Sequence, residues 1–270
     1  MSHKIQHIAV MRLSAMGDVA MTVPVLRALV NQYPELKIIV ISRPFFQPFF
    51  KDIPNLQFFS FDEKERHKGI LGLWRLFQDL KALQIDAFAD VHNVMRSKVV
   101  RSLFALSGKK IAFVDKGRAE KKALTRAENK IFQPLTTMFE RHQLVFETLG
   151  FPIDLSQPKF PPKAKISQLE IATIVSQSNT IIGIAPFAQY DSKVYPLDLM
   201  QEVIDVLAAN ENQTILLFGG GKNEKEQLQN LAGDKKNVIN MAGKISFQDE
   251  LNLISNLDVM LSMDSGNGHI

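Results

Sequence analysis

The stretch His7-Ile8-Ala9-Val10-Met11-Arg12-Leu13-Ser14-Ala15-Met16-Gly17-Asp18-Val19 joins an unbroken apolar run to a loop of small residues bearing one carboxylate. A short run that is apolar on both faces reads as a buried parallel strand, and open α/β sheets place their chemistry beyond the carboxyl ends of such strands. Val259-Met260-Leu261-Ser262-Met263-Asp264-Ser265-Gly266-Asn267-Gly268-His269 repeats the arrangement at the other end of the chain.

Between these two loops the pattern alternates. Strand-like runs at 7–13, 37–42, 56–60, 86–91 and 110–113 are interleaved with helical periodicity at 19–31, 71–83, 98–106 and 140–149, which predicts a mostly parallel sheet. Residues 152–162 hold four prolines in eleven positions and no periodicity, the composition of a linker. The alternation resumes after a helix at 166–177, with strands at 180–185, 214–218, 237–240 and 259–263 and helices at 197–209, 224–232 and 247–255. The expectation is therefore an N-terminal domain over 1–157, a linker and bridging helix over 158–178, and a C-terminal domain over 179–270 whose array is incomplete.

A chain of 270 residues with 46% hydrophobic content can fill two cores, and the net charge of +4 conceals an asymmetry. Residues 1–165 hold 26 Lys+Arg against 15 Asp+Glu, whereas residues 166–270 hold 6 against 13. A basic half suits a phosphorylated substrate, an anionic membrane surface or nucleic acid. The last is disfavoured, because the basic residues lack interleaved aromatics and no recognition motif appears. The chain has no cysteine, no signal-peptide core and no apolar run approaching the roughly 20 residues of a membrane span, so the cytoplasm is the expected compartment.

Several chemistries are absent from the motifs. The first loop has one glycine, so it is not the dinucleotide fingerprint, and Phe218-Gly219-Gly220-Gly221-Lys222-Asn223-Glu224 lacks the spacing of a phosphate loop. No G-x-S-x-G elbow occurs and no D-x-D closes a strand, so neither a hydrolase triad nor a metal site is expected, and no cofactor is called for.

The residues that remain have two readings each. Asp18, placed just before a helix expected near Val19, is either a cap for free N–H groups or a general base, and spacing alone favours the cap. Lys193 is the lone cation between Glu170 and Glu211, either a surface lysine or the partner of a specific anion. It precedes Pro196, expected at helix position one. Glu224 either pairs with ribose hydroxyls or satisfies a helix dipole. Asp264, Ser265 and Gly266 open a helix either as an ordinary cap or as a diphosphate cradle, with His269 as a further donor.

Taken in order, Arg12-Leu-Ser-Ala-Met-Gly-Asp18, Asp90-Val-His92-Asn-Val-Met-Arg96-Ser97, Ser192-Lys193-Val-Tyr195-Pro196 and Asp264-Ser265-Gly266-x-x-His269 resemble the bacterial lipopolysaccharide heptosyltransferases over the whole chain. The resemblance implies a GT-B fold of two Rossmann-like domains, and an inverting transfer of heptose from ADP-heptose to a phosphorylated Kdo–lipid A inner core. By the same likeness Asp18 is the base, Lys193 the diphosphate ligand, and Asp264, Ser265, Gly266 and His269 the phosphate loop. Glu224 and Met241 are nucleoside contacts. Ser14 and Gly17 belong to the acceptor loop. Arg96, Lys98, Arg101, Arg118, Lys121, Lys122 and Arg126 are candidate acceptor-phosphate contacts by charge. Peripheral contact with the inner membrane follows from a lipid-borne acceptor.

Two departures from the family pattern stand out. Tyr195 replaces the usual tryptophan, and the family's further βα elements and returning helix are absent, so a truncated form is expected, with its activity in question. Two alternatives stay open: a metal-independent GT-B transferase using another nucleotide sugar, and a non-catalytic nucleotide-binding fragment.

Overall fold

The computed structural model describes residues 5–270 and divides the chain into two compact units, one up to Lys159 and one from Phe160. In the first, β1 (His7–Met11), α1 (Met16–Ala20), α2 (Thr22–Gln32), β2 (Lys37–Ser42), β3 (Leu56–Ser60), α3 (Gly69–Lys81), β4 (Ala87–Asp90), α4 (Met95–Leu106), β5 (Lys110–Phe113), α5 (Arg118–Thr125) and α6 (Met138–Leu149) follow in order. The strands form one parallel sheet, β3-β2-β1-β4-β5, with Ile8 opposite both Ile38 and Ala87. β1 is central, which is why Ile8 through Met11 are all buried and no alternation is seen in its sequence.

Helices cover the sheet through apolar stripes. α3 buries Leu73, Leu76, Phe77 and Leu80 at helical spacing, and Phe77 and Phe88 both meet Phe104, at 4.8 Å and 5.2 Å between ring centroids. Each fully buried phenylalanine contributes about 1.5–3 kcal/mol. α6 starts on a reciprocal cap: Thr137 Oγ1 accepts the Glu140 N–H at 3.2 Å, and Glu140 Oε2 accepts the Thr137 N–H at 2.7 Å. It stops at Gly150, whose φ of 101° suits a residue without a side chain.

The second unit holds α7 (Leu169–Gln177), β6 (Thr180–Ala185), α8 (Leu197–Ala208), β7 (Gln213–Leu217), α9 (Lys222–Ala232), β8 (Val238–Asn240), α10 (Phe247–Ile254) and β9 (Val259–Ser262). Its sheet is also parallel, in the order β8-β7-β6-β9. Ile182, Ile184, Ile215 and Leu217 pack on one face with Met200, Ile204 and Leu228, and Phe218, Met241 and Leu253 belong to the core on the other.

Three local expectations need correction. The first helix begins at Met16 rather than near Val19, so Asp18 lies within its first turn. Pro196 stands just before α8 rather than inside it. The last loop opens only a short 3-10 turn, Gly266–His269. Among the described residues no helix is long and apolar enough to cross a membrane.

Candidate active site

Both sheets reverse their winding order beside the first strand. In the first unit the chain builds outward from β1 to β3, then places β4 on the other side of β1. In the second it builds from β6 to β8 and then sets β9 against β6. Such switch points open a crevice at the carboxyl ends of the two diverging strands. The loops after β1 and β4, and those after β6 and β9, carry the motifs singled out in the sequence.

At the first switch point Asp18 is 37% exposed and pairs with Arg12, which is only 4% exposed. Both of its contacts fall on one oxygen: Oδ2 takes Arg12 Nη2 and, at 3.3 Å, the Ala15 N–H. No hydrogen bond reaches Oδ1 among the described residues. Asp18 therefore does cap its helix, through Oδ2, while the other oxygen stays free to take a proton. The Ser14–Ala15 peptide in this loop is cis.

Two buried histidines flank this pair. Ser14 Oγ stands 3.5 Å from His92 Nε2, while His92 Nδ1 and both ring nitrogens of His142 lack hydrogen-bond partners among the described residues. Burial first, and the Arg12 charge second, push both imidazoles from their usual 6.5 to about 4, so both are neutral at pH 7. Burial and the Arg12 charge also lower the Lys116 ammonium. Gly17 is buried inside the turn, where its carbonyl accepts the Met21 N–H at 2.9 Å.

The basic residues expected to meet an acceptor phosphate divide into two groups. Arg118, Lys121, Lys122, Arg126 and Lys98 are exposed. Arg96 shares Glu63 Oε2 with Arg43, at 2.9 Å and 3.0 Å. Arg101 is instead committed to the fold: it pairs with fully buried Asp90 at 3.1 Å and lies 3.9 Å over the Phe113 ring. A buried carboxylate needs that partner, so Arg101 has a structural task whatever else it contacts.

At the second switch point Lys193 Nζ meets Asp264 Oδ2 at 2.5 Å. The pair joins the loop after β6 to the loop after β9, and the lysine holds the Asp264 carboxyl below its ordinary range. Tyr195 sits beside them, its N–H 3.2 Å from Met263 Sδ. Ser265 precedes the 3-10 turn, whose first N–H groups, beginning at Gly266, have no partner inside it. His269 is exposed at its end.

Two nucleoside candidates are placed differently. Glu224 stands in the first turn of α9, where its Oε2 accepts the Gly220 N–H at 2.6 Å and so closes the glycine loop. Space at Gly219 is tight: a Cβ would stand 2.9 Å from Leu228 Cδ1 and 3.2 Å from Glu224 Oε2, so these side-chain ends would have to shift. Met241 is 4% exposed and lies in the core with Phe218 and Leu253, so its side chain is a packing surface. Among the described residues no three His, Cys, Asp or Glu are grouped as metal ligands.

The two-sheet α/β architecture is of the GT-B type. It matches a glycosyltransferase family 9 structure from Veillonella parvula at a TM-score of 0.74, with 20% identity over all of this chain and 79% of the other. It also matches the E. coli heptosyltransferase WaaC with ADP-2-deoxy-2-fluoro heptose at 0.72, with 18% identity over 98% of this chain and 84% of the other. The profile of glycosyltransferase family 9 (heptosyltransferase) covers residues 73–270, and the chain belongs to that family of enzymes. A lipopolysaccharide core heptosyltransferase of Haemophilus influenzae, OpsX, is 26% identical over 97% of this chain and 75% of its own length.

Proposed function

We propose that the protein transfers heptose from ADP-heptose to a phosphorylated Kdo–lipid A inner core, with inversion at the anomeric carbon. One observation carries this reading: the free Oδ1 of an otherwise anchored Asp18 at one switch point, and a cation at the other. Asp18 Oδ1 takes the proton of an acceptor hydroxyl, the hydroxyl oxygen bonds to the anomeric carbon, and the bond to ADP breaks with its electron pair. Lys193, the N–H groups around Ser265 and Gly266, and His269 meet the charge that grows on the diphosphate. Asp264 holds Lys193 until the anion arrives. Glu224 fixes the glycine loop against the nucleoside, and Met241 backs that wall. In this reading residues 1–157 serve the acceptor and 179–270 the donor.

The acceptor side draws on Ser14, Gly17, Arg96, Arg118 and Lys122. Arg118, Lys121, Lys122 and Arg126 of the α5 region are exposed, as is Phe132 a few residues further along the chain at 79%, a mixture suited to the phosphates and interface of a lipid-borne substrate. The protein would then work at the cytoplasmic face of the inner membrane as a peripheral enzyme. The ADP-2-deoxy-2-fluoro heptose in the similar E. coli structure supports the donor class, and the similarity to a lipopolysaccharide core heptosyltransferase supports the acceptor class.

A thermal-shift panel tests the donor. ADP-heptose should stabilise the protein more than ADP alone, and UDP- and GDP-sugars should have little effect. A larger shift with a UDP-sugar would replace this donor with another nucleotide sugar.

A further inference from the structure

We propose that Arg12 is the positioning residue of the transfer: it clamps Asp18 Oδ2 so that Oδ1 is the oxygen that receives the proton. The inference rests on Asp18 as the base and adds a residue that acts through it. Arg12 lies one position beyond β1 and is tied to the strands on both sides. Its N–H donates to Ile41 O at 3.1 Å, its carbonyl accepts Ser42 Oγ at 2.5 Å, and Nη1 donates to Val91 O at 2.7 Å. Two of these anchors fix the backbone and one holds the guanidinium; Nη2 meets Asp18, and Nε is left without a hydrogen-bond partner among the described residues.

The asymmetry of the pair points to a task beyond stability. Burial depresses the Arg12 pKa, with Asp18 opposing the shift, so the cation is kept inside at a cost that a partly exposed carboxylate offsets poorly. A carboxylate also turns easily about its last torsion, which is broad and two-fold, and would present either oxygen to substrate if unrestrained. Arg12 and the Ala15 N–H converge on the same oxygen and remove that choice. A lysine at position 12 retains the charge but not the fork that serves Val91 and Asp18 together.

The test uses the full chain with ADP-heptose and Kdo–lipid A, comparing Arg12→Lys, Arg12→Ala, Asp18→Ala and the Arg12→Ala/Asp18→Ala double variant, with thermal unfolding of each. Arg12→Lys should fold and lose about 10- to 100-fold in kcat, the scale of a misplaced catalytic group, with donor KM unchanged within about twofold. Added guanidinium should restore part of the Arg12→Ala turnover and none in the double variant, where Arg12→Ala adds little to Asp18→Ala. If Arg12→Ala does not fold, Arg12→Lys decides. Wild-type kcat in Arg12→Lys, or losses that simply multiply in the double variant, would overturn the role of Arg12 and leave the base assignment standing. Wild-type turnover in Asp18→Ala would instead remove the base assignment and the role of Arg12 with it.

Discussion

Lys193 and Asp264, 71 residues apart in sequence, form an ion pair of 2.5 Å that links the loops after β6 and β9. Both loops leave the same end of neighbouring parallel strands, so the pair sits where an anion entering the switch point would meet it. Asp264 is more exposed than Lys193, and in water such a pair is worth little, which makes the lysine cheap to redirect.

Lys193→Ala should lower turnover by about 10² or more through lost stabilisation of the leaving diphosphate. Steady-state release of ADP measures it. Turnover within threefold of wild type would remove Lys193 from the reaction.

The neutral histidines carry a pH dependence whose sign is fixed. His92 and His142 have folded pKa values of about 4, below the usual 6.5, so the unfolded chain binds more protons between these values. Their contribution to stability is complete above about pH 6.5 and falls as the pH drops towards 4. Urea unfolding across that window should show the loss. His142→Leu, which removes two unpaired buried nitrogens, should flatten the slope while keeping stability at pH 7. An unchanged slope in that variant would contradict the assignment of His142.

Arg141 is buried and pins both ends of the basic excursion that contains α5. Its Nε donates to Thr136 O at 3.1 Å, Nη1 to Asp115 O at 3.3 Å, and Nη2 meets Glu120 Oε2 at 2.6 Å. Arg141→Ala should cost about 2 kcal/mol or more and speed tryptic cleavage between Arg118 and Lys130. Cleavage at the wild-type rate would mean that the excursion is held by something else.

The sheets were legible because their central strands, Ile8–Met11 and Ile181–Ala185, are apolar without interruption. α5 was not, because Arg118–Thr125 is short, half of its residues are charged, and it buries none of them. Its connections run through Arg141, a tertiary partner invisible to local pattern. α1 starts at Met16, earlier than the sequence suggests, with Gly17, a poor helix former, inside its first turn. In the fold it is buried in the first turn, which Asp18 stabilises by reaching back to the Ala15 N–H.

The side-chain pairs followed the same divide. The isolation of Lys193 was readable in a stretch with no other cation, but its partner Asp264 was not. Arg101 looked like a free cation, since nothing local announces its bond to Asp90 across β4 and α4. Arg12 stands in the first motif with no local sign of its role, because a charged residue directly after a buried strand shows its purpose only when its neighbours are known.

Asp18→Asn is the most direct measurement of the whole account. It keeps an oxygen for Arg12 and so preserves the fold, but removes the base. Turnover of ADP-heptose with the full chain should fall by about 10² to 10⁴, with ADP binding unchanged and the unfolding temperature lowered by loss of the charge beside buried Arg12. Turnover close to wild type in a folded Asp18→Asn protein would contradict it.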